Sequence, residues 1–216
     1  MSYSVILAKI LPRNYMDDFL DGNLYLNNLS YFSSLDSSDQ VRCDSHEGLT
    51  DCLQVKSISI QNAEGDWVPI GEIQNPVVFE GDYSENLNVL CLYSITDRQG
   101  DFFDERNVQF GEVTVLIKDL LEFISRIRTA AKVKGWEIGH SPIEYVSRNT
   151  YNGRMGPFRK FDEFSYQNEF RFSLKTDVKS PCVLSVGDLR DIVCVIETKQ
   201  IPDFWSWTKH VKIHNQ

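Results

Sequence analysis

The chain has 216 residues, 42% hydrophobic and 25% charged, a balance that excludes a disordered or fibrous protein. Its net charge of -9 is lopsided: residues 1–105 hold 18 Asp and Glu against 5 Lys and Arg, whereas residues 106–216 hold 13 against 17, so only the second half is suited to meet a polyanion. With five cysteines in no CxxC pair, no run of about 18 apolar residues and no basic leader ahead of a cleavage site, a disulfide framework, a zinc site, a membrane span and a signal peptide are all disfavoured. A single cytoplasmic domain over residues 1–216, long enough to be stable without a metal, is expected.

Ser4 to Ile10, SVILAKI, reads as a first buried strand. Pro12 then opens a short helix whose Tyr15, Met16, Phe19 and Leu20 share one face, and Gly22 is placed to end it. NLYLNNLSYF follows as an extended segment, and the turn-rich run Ser33 to Gly48 has the length of a functional or disordered loop. LQVKSISI alternates and, across a turn at Glu64, Gly65 and Asp66, predicts a hairpin into WVPIGEI. NVLCLYSI is apolar on both faces, as a strand in the centre of a sheet is. EVTVLI is a further strand, running into the clearest helix of the chain, where Ile117, Leu120, Leu121, Ile124, Ile127 and Ala131 form one stripe and Gly135 is a stop.

Beyond the helix lie the basic, aromatic stretch HSPIEYVSRNTYNGRMGPFRKFDEF and the strand YQNEFRFSL. Two apolar runs in CVLSVGDLRDIVCVIET should bury Cys182 and Cys194, and the chain closes on the aromatic tail DFWSWTKHVKI. The order strand, helix, several strands, helix, several strands predicts an α+β fold, a mostly antiparallel, strand-rich core with two main helices.

Chemistry concentrates in three places. In YQNEFRFSL, alternation puts Tyr166, Phe170, Phe172 and Leu174 in the core and Gln167, Glu169, Arg171 and Ser173 on the opposite face, which is either solvated or lines a site. The stretch before it interleaves Arg148, Arg154, Arg159 and Lys160 with Tyr145, Tyr151, Phe158 and Phe161, a pattern that holds phosphates with its cations and stacks bases on its rings. Arg148, Tyr151, Arg154, Arg159, Lys160 and Arg171 are therefore candidate substrate contacts. The loop VRCDSHEGL crowds Arg42, Asp44, His46 and Glu47 together. It lacks the ligand set of a metal site, and it is either a solvated acidic turn or a clamp in which Arg42 grips a pyrophosphate while Asp44 and Glu47 fix its direction. Tyr31 and Phe32 are either core residues or stacking platforms. No GxSxG, P-loop or GxGxxG occurs, and His140, His210 and His214 have no acid-and-nucleophile pattern nearby, so serine or cysteine hydrolase chemistry has no support.

The Gln167-x-Glu169 of the late strand, far downstream of the opening VILAKILPRNYMDDFLDG, resembles the arrangement of ADP-ribosyltransferases, including the bacterial toxins that modify DNA or RNA bases. That resemblance implies NAD as substrate and Glu169 as the catalytic acidic residue, stabilising the oxocarbenium-like centre as nicotinamide leaves, with Gln167 orienting the acceptor. It implies cofactor contacts from Lys9, which stands where the family usually has His or Arg, and from Tyr31, Phe32, Arg42 and Asp44. It further implies a nucleic-acid or protein acceptor, a toxin or phage-defence role, and a possible antitoxin protein as partner. From the charge distribution alone, a non-catalytic protein of a phage or mobile element stays open, its acidic half with Asp17, Asp18 and Asp21 docking on a basic partner.

Overall fold

In the computed structural model, which describes residues 5–35, 42–81, 85–96 and 103–202, strand β1 (Val5–Leu11) is followed by a 3-10 turn at Arg13–Tyr15 and helix α1 (Met16–Leu20). Next come β2 (Asn23–Asn28), α2 (Leu29–Ser34), β3 (Leu49–Leu53), β4 (Ser57–Gln61), β5 (Trp67–Glu72), β6 (Val77–Glu80) and the long β7 (Leu87–Thr96). A 3-10 segment at Glu105–Phe110 leads to β8 (Val113–Ile117) and α3 (Leu120–Val133). β9 (Glu137–Pro142), β10 (Glu144–Val146), β11 (Gly153–Arg154) and β12 (Arg159–Phe161) then pass through a 3-10 segment at Asp162–Gln167 into β13 (Glu169–Lys175). β14 (Cys182–Ser185) and β15 (Val193–Glu197) are the last strands described.

The fold is α+β, and its main sheet is antiparallel throughout, running β14-β2-β7-β1-β8-β15 with β13 and β9 added beside β7. β7 is its centre, as a run apolar on both faces demands. On one edge it pairs with β13 over its length, Glu169 lying opposite Tyr93 and Arg171 opposite Cys91. On the other edge it meets β1 at one end, Ala8 opposite Tyr93, and β2 at the other, Asn27 opposite Val89. Between those contacts the two neighbours part: β1 turns away to pair Ala8–Leu11 with β8, and β2 turns to β14. The sheet is thus split beside Leu90, Cys91 and Leu92.

One face of the sheet is closed by α3. Asp119 caps its N-terminus by accepting from the Glu122 N–H, and Gly135, at φ 72, follows its end in the left-handed region that glycine adopts without strain. Phe123, Ile127 and Ala131 are buried against Phe172, Leu7, Leu90 and Leu92, and full burial of Phe123 or Ile127 contributes about 1.5–3 kcal/mol each. The stripe differs from the one expected. Leu121 is 81% exposed, and Phe123 takes the place given to it, because only a face on Leu120, Phe123, Ile124, Ile127 and Ala131 keeps the i, i+3, i+4, i+7 spacing over the whole helix.

Other expectations are met or corrected element by element. The hairpin β4–β5 forms, its turn closed by the Asp66 N–H on Asn62 Oδ1 at 2.7 Å. NLYLNNLSYF is extended only to Asn28, whose side chain accepts from the Ser30 N–H and starts α2. The helix after Pro12 is one short turn and a half, so α3 is the single long helix among the described residues. Cys194 is exposed on β15 and Cys182 half-buried, so neither is sealed in the core. The tail DFWSWTKHVKI lies outside the described residues. Among those described, no helix is long and apolar enough to cross a membrane.

Candidate functional site

β13 is buried on both faces. Phe170, Phe172 and Leu174 meet the core under α3, while Glu169, Arg171 and Ser173 point the other way beneath a second layer. Glu47, Lys160 and Pro157 of that layer all touch the polar face. The polar row of YQNEFRFSL is therefore an internal charge cluster.

Arg171, at 0% exposure, stands at its centre. Its Nε donates to Glu169 Oε1 at 2.7 Å, and Nη1 and Nη2 form a fork on Glu47 Oε1 and Oε2 at 2.9 and 3.0 Å. Nη1 also donates to the Pro157 carbonyl at 2.7 Å. Lys160 Nζ sits 3.2 Å from Glu47, 3.4 Å from Glu169 and 3.8 Å from Asp44, and donates to Gln167 Oε1 at 2.9 Å. Burial works against every one of these charges, and the outcome depends on the partners. For Glu169 and Glu47 the burial penalty is outweighed by Arg171 and Lys160, which hold both carboxyls below the usual carboxylate range. The same pairing lifts Lys160 and Arg171 above their ordinary values in spite of burial. For Asp44, burial prevails over the more distant Lys160 and the His46 N–H, and pushes its carboxyl up to about 6.

The sheet split opens next to this cluster as a cavity of about 970 Å³, at the upper end of the roughly 300–1,000 Å³ of small-molecule sites. Lys9, Tyr31, Phe32 and Arg42 border it together with Glu47, Lys160, Gln167, Glu169 and Arg171. Lys9 Nζ reaches into the split and donates to the Cys91 carbonyl at 2.9 Å, and burial lowers its pKa. The Cys91 thiol is hydrogen-bonded to Glu169, and burial followed by the Glu169 charge pushes it up to about 12. The Glu169 N–H donates to the Tyr145 hydroxyl at 2.9 Å, which fixes the start of β13.

The chain matches no protein family model, and no curated protein or solved structure matches it either. What the site does must be read from its own chemistry. Its carboxylates are already matched by cations, and among the described residues no three His, Cys, Asp or Glu are grouped as a metal ion would need.

Several expected site residues lie elsewhere than the sequence suggested. Gln167 does not share a strand face with Glu169: it ends the 3-10 segment, and Asn168 turns the chain at φ 37 before β13 begins. Its side chain still borders the cavity, through Lys160. Tyr166 is half-buried under the Arg106 guanidinium, 3.7 Å from the ring centre, instead of in the core. Asp44 is buried behind the cavity wall, accepting from the His46 N–H, because Lys160 draws it inward. The basic, aromatic stretch is not an open phosphate track. Arg148 pairs with Glu163 over Phe161, Arg159 pairs with Glu144 at 2.7 Å, and Tyr151 donates to the carbonyl of Arg154, which is exposed on β11. Of the six cationic and aromatic substrate candidates, only Lys160 and Arg171 border the cavity.

Sequence reading missed Glu47 as the partner of Arg171, and Cys91, Asn27 and Asn107 as wall residues. The one available signal was a full positive charge in the middle of an apolar strand. Such a residue is buried only when paired.

Proposed function

We propose that the protein is an NAD-cleaving ADP-ribosyltransferase with a transferase-like split-sheet fold. The observation that supports this most is that Lys9, Tyr31, Phe32 and Arg42, all from the first fifth of the chain, border the same cavity as Gln167 and Glu169. In this reading Lys9 and Arg42 face the pyrophosphate, and Tyr31 and Phe32 stack on a base. Glu169, kept ionised by Arg171 and Lys160, faces the nicotinamide ribose. The C1′–N bond breaks, nicotinamide leaves with the bonding pair, and an acceptor nucleophile adds to C1′ as it gives up its proton. A fixed carboxylate beside the positive charge developing at C1′ is electrostatic catalysis. Glu47 has a second role here. Because it grips Arg171 with both oxygens, Arg171 keeps a carboxylate partner when Glu169 turns toward the ribose. We assign the acceptor to nucleic acid, on the surplus of Lys and Arg in residues 106–216, and a toxin or phage-defence role would suit that chemistry.

The test is incubation with NAD labelled in the ADP-ribose part, alone and with RNA, single-stranded DNA or cell lysate, following nicotinamide release and labelled product. Release is expected from the native chain and not from Glu169→Gln, assayed at a temperature where the variant is folded. Full release from that variant removes Glu169 from the mechanism, and no release with any acceptor overturns the proposal.

A further inference from the structure

Among the described residues, the buried side-chain oxygens that lack a hydrogen-bond partner are Asn27 Oδ1 and Asn107 Oδ1. Both side chains border the cleft. A buried acceptor without a donor costs stability, so two of them on the walls of one cavity call for a ligand that supplies donors. The orientation of Asn107 is set by its other end: Nδ2 donates to the Asp104 and Tyr166 carbonyls at 3.1 and 2.8 Å, which leaves Oδ1 as the open acceptor. Asn107 is itself 1% exposed.

The two acceptors stand toward opposite ends of the split. Asn27 lies opposite Val89 on β7. Asn107 is held to Tyr166, two residues ahead of Asn168, whose carbonyl accepts the Ser94 N–H. From Val89 to Ser94 is five residues, roughly 17 Å of strand. Lys9 Nζ lies between them, on the Cys91 carbonyl. The order along β7 is thus acceptor, cation, acceptor. Two rings also border the cleft: Tyr25, two residues before Asn27 on the same face of β2, and Tyr93, beside Ser94 on β7.

We infer that Asn27 and Asn107 are the specificity-determining residues of a dinucleotide site, each receiving an N–H of one base: the adenine amino group at Asn27 and the nicotinamide carboxamide at Asn107, next to Glu169. This rests on the NAD reading above and adds to it which atoms sort NAD from its analogues. An oxo or carboxylate group in place of either donor sets oxygen against oxygen.

Calorimetric titration of the native chain with NAD, nicotinic acid adenine dinucleotide and nicotinamide hypoxanthine dinucleotide tests it. Each analogue is expected to bind about ten-fold or more weakly than NAD. Asn107→Ala should erase the discrimination against the acid analogue alone, and Asn27→Ala that against the hypoxanthine analogue alone, a crossed pattern that a merely structural role would not produce. The comparison of ligands on the native chain stands even where a variant folds poorly. Equal binding of all three dinucleotides overturns this inference and leaves the NAD site standing, whereas no binding of NAD overturns the site assignment itself.

Discussion

Replacing Glu169 by Gln keeps the side chain's shape and removes one charge from a buried cluster. The carboxylate receives Arg171 at 2.7 and 3.3 Å and lies 3.4 Å from Lys160. Removing one partner of a buried ion pair costs about 3–5 kcal/mol, and because Glu47 retains its two bonds to Arg171 the lower end applies, about 3 kcal/mol. For a chain of this length that is a fall in Tm of about 6–12 °C. Glu169→Gln should therefore melt well below the native chain, and Glu169→Gln/Arg171→Met should lose less than the two single variants together, since the pair disappears as a unit. Circular-dichroism melts and urea titrations at pH 7.5 measure both. The pH dependence has a definite sign. The folded pKa of Glu169 is held below its ordinary 4.5, so its stabilisation is complete above that value and fades as pH falls below it. The gap between native chain and variant should shrink on acidification. A Tm loss under roughly 2 °C at pH 7.5, or strict additivity in the double variant, refutes the picture of a coupled buried cluster.

Asp44→Asn should have the opposite effect. Burial raises the folded pKa from 3.8 to about 6, so the cost of carrying the charge is absent below 3.8, grows through that window and is complete above 6. The Asn variant should be more stable by about 3 kcal/mol at pH 8, with the difference gone at pH 4, and a native chain that outlasts it at pH 8 contradicts the assignment. Lys9→Met should separate binding from folding. The substitution removes a buried amine that donates to the Cys91 carbonyl, so its Tm should match or exceed the native value while dinucleotide Kd rises about ten-fold or more. Parallel losses of stability and binding in calorimetry would make Lys9 part of the scaffold only.

Composition and periodicity exposed the parts of the fold that depend on local pattern. β7 announced itself by being apolar on both faces, and α3 by its spacing, although a two-residue misplacement exchanged Leu121 for Phe123. The helix at Leu29–Ser34 escaped notice because six residues give too little periodicity and its only sign is the cap at Asn28. The site was legible in its members and illegible in its arrangement. Glu169 and Lys9 came forward through the transferase resemblance and Arg42 through the crowding of charges in its loop, yet the bond between Glu47 and Arg171 joins residues 124 positions apart, and alternation alone cannot say whether a polar face meets water or a second layer. Asn27 and Asn107 had no mark at all, since an asparagine becomes informative only when one of its atoms is seen to lack a partner.

The placement of β13 has a consequence for the making of the protein. A nascent chain emerges N-terminus first, and through most of its synthesis β7 has an open edge, because the strand that fills it, Glu169–Lys175, comes late and inserts between β7 and β9. The carboxylate and Arg171 arrive on that same strand, so a truncated product that stops before it carries the cleft's other walls without its charge cluster. It also presents a long apolar edge of the kind that recruits other chains. The charge cluster is thus assembled only when the edge is closed, and premature termination becomes a route to aggregates.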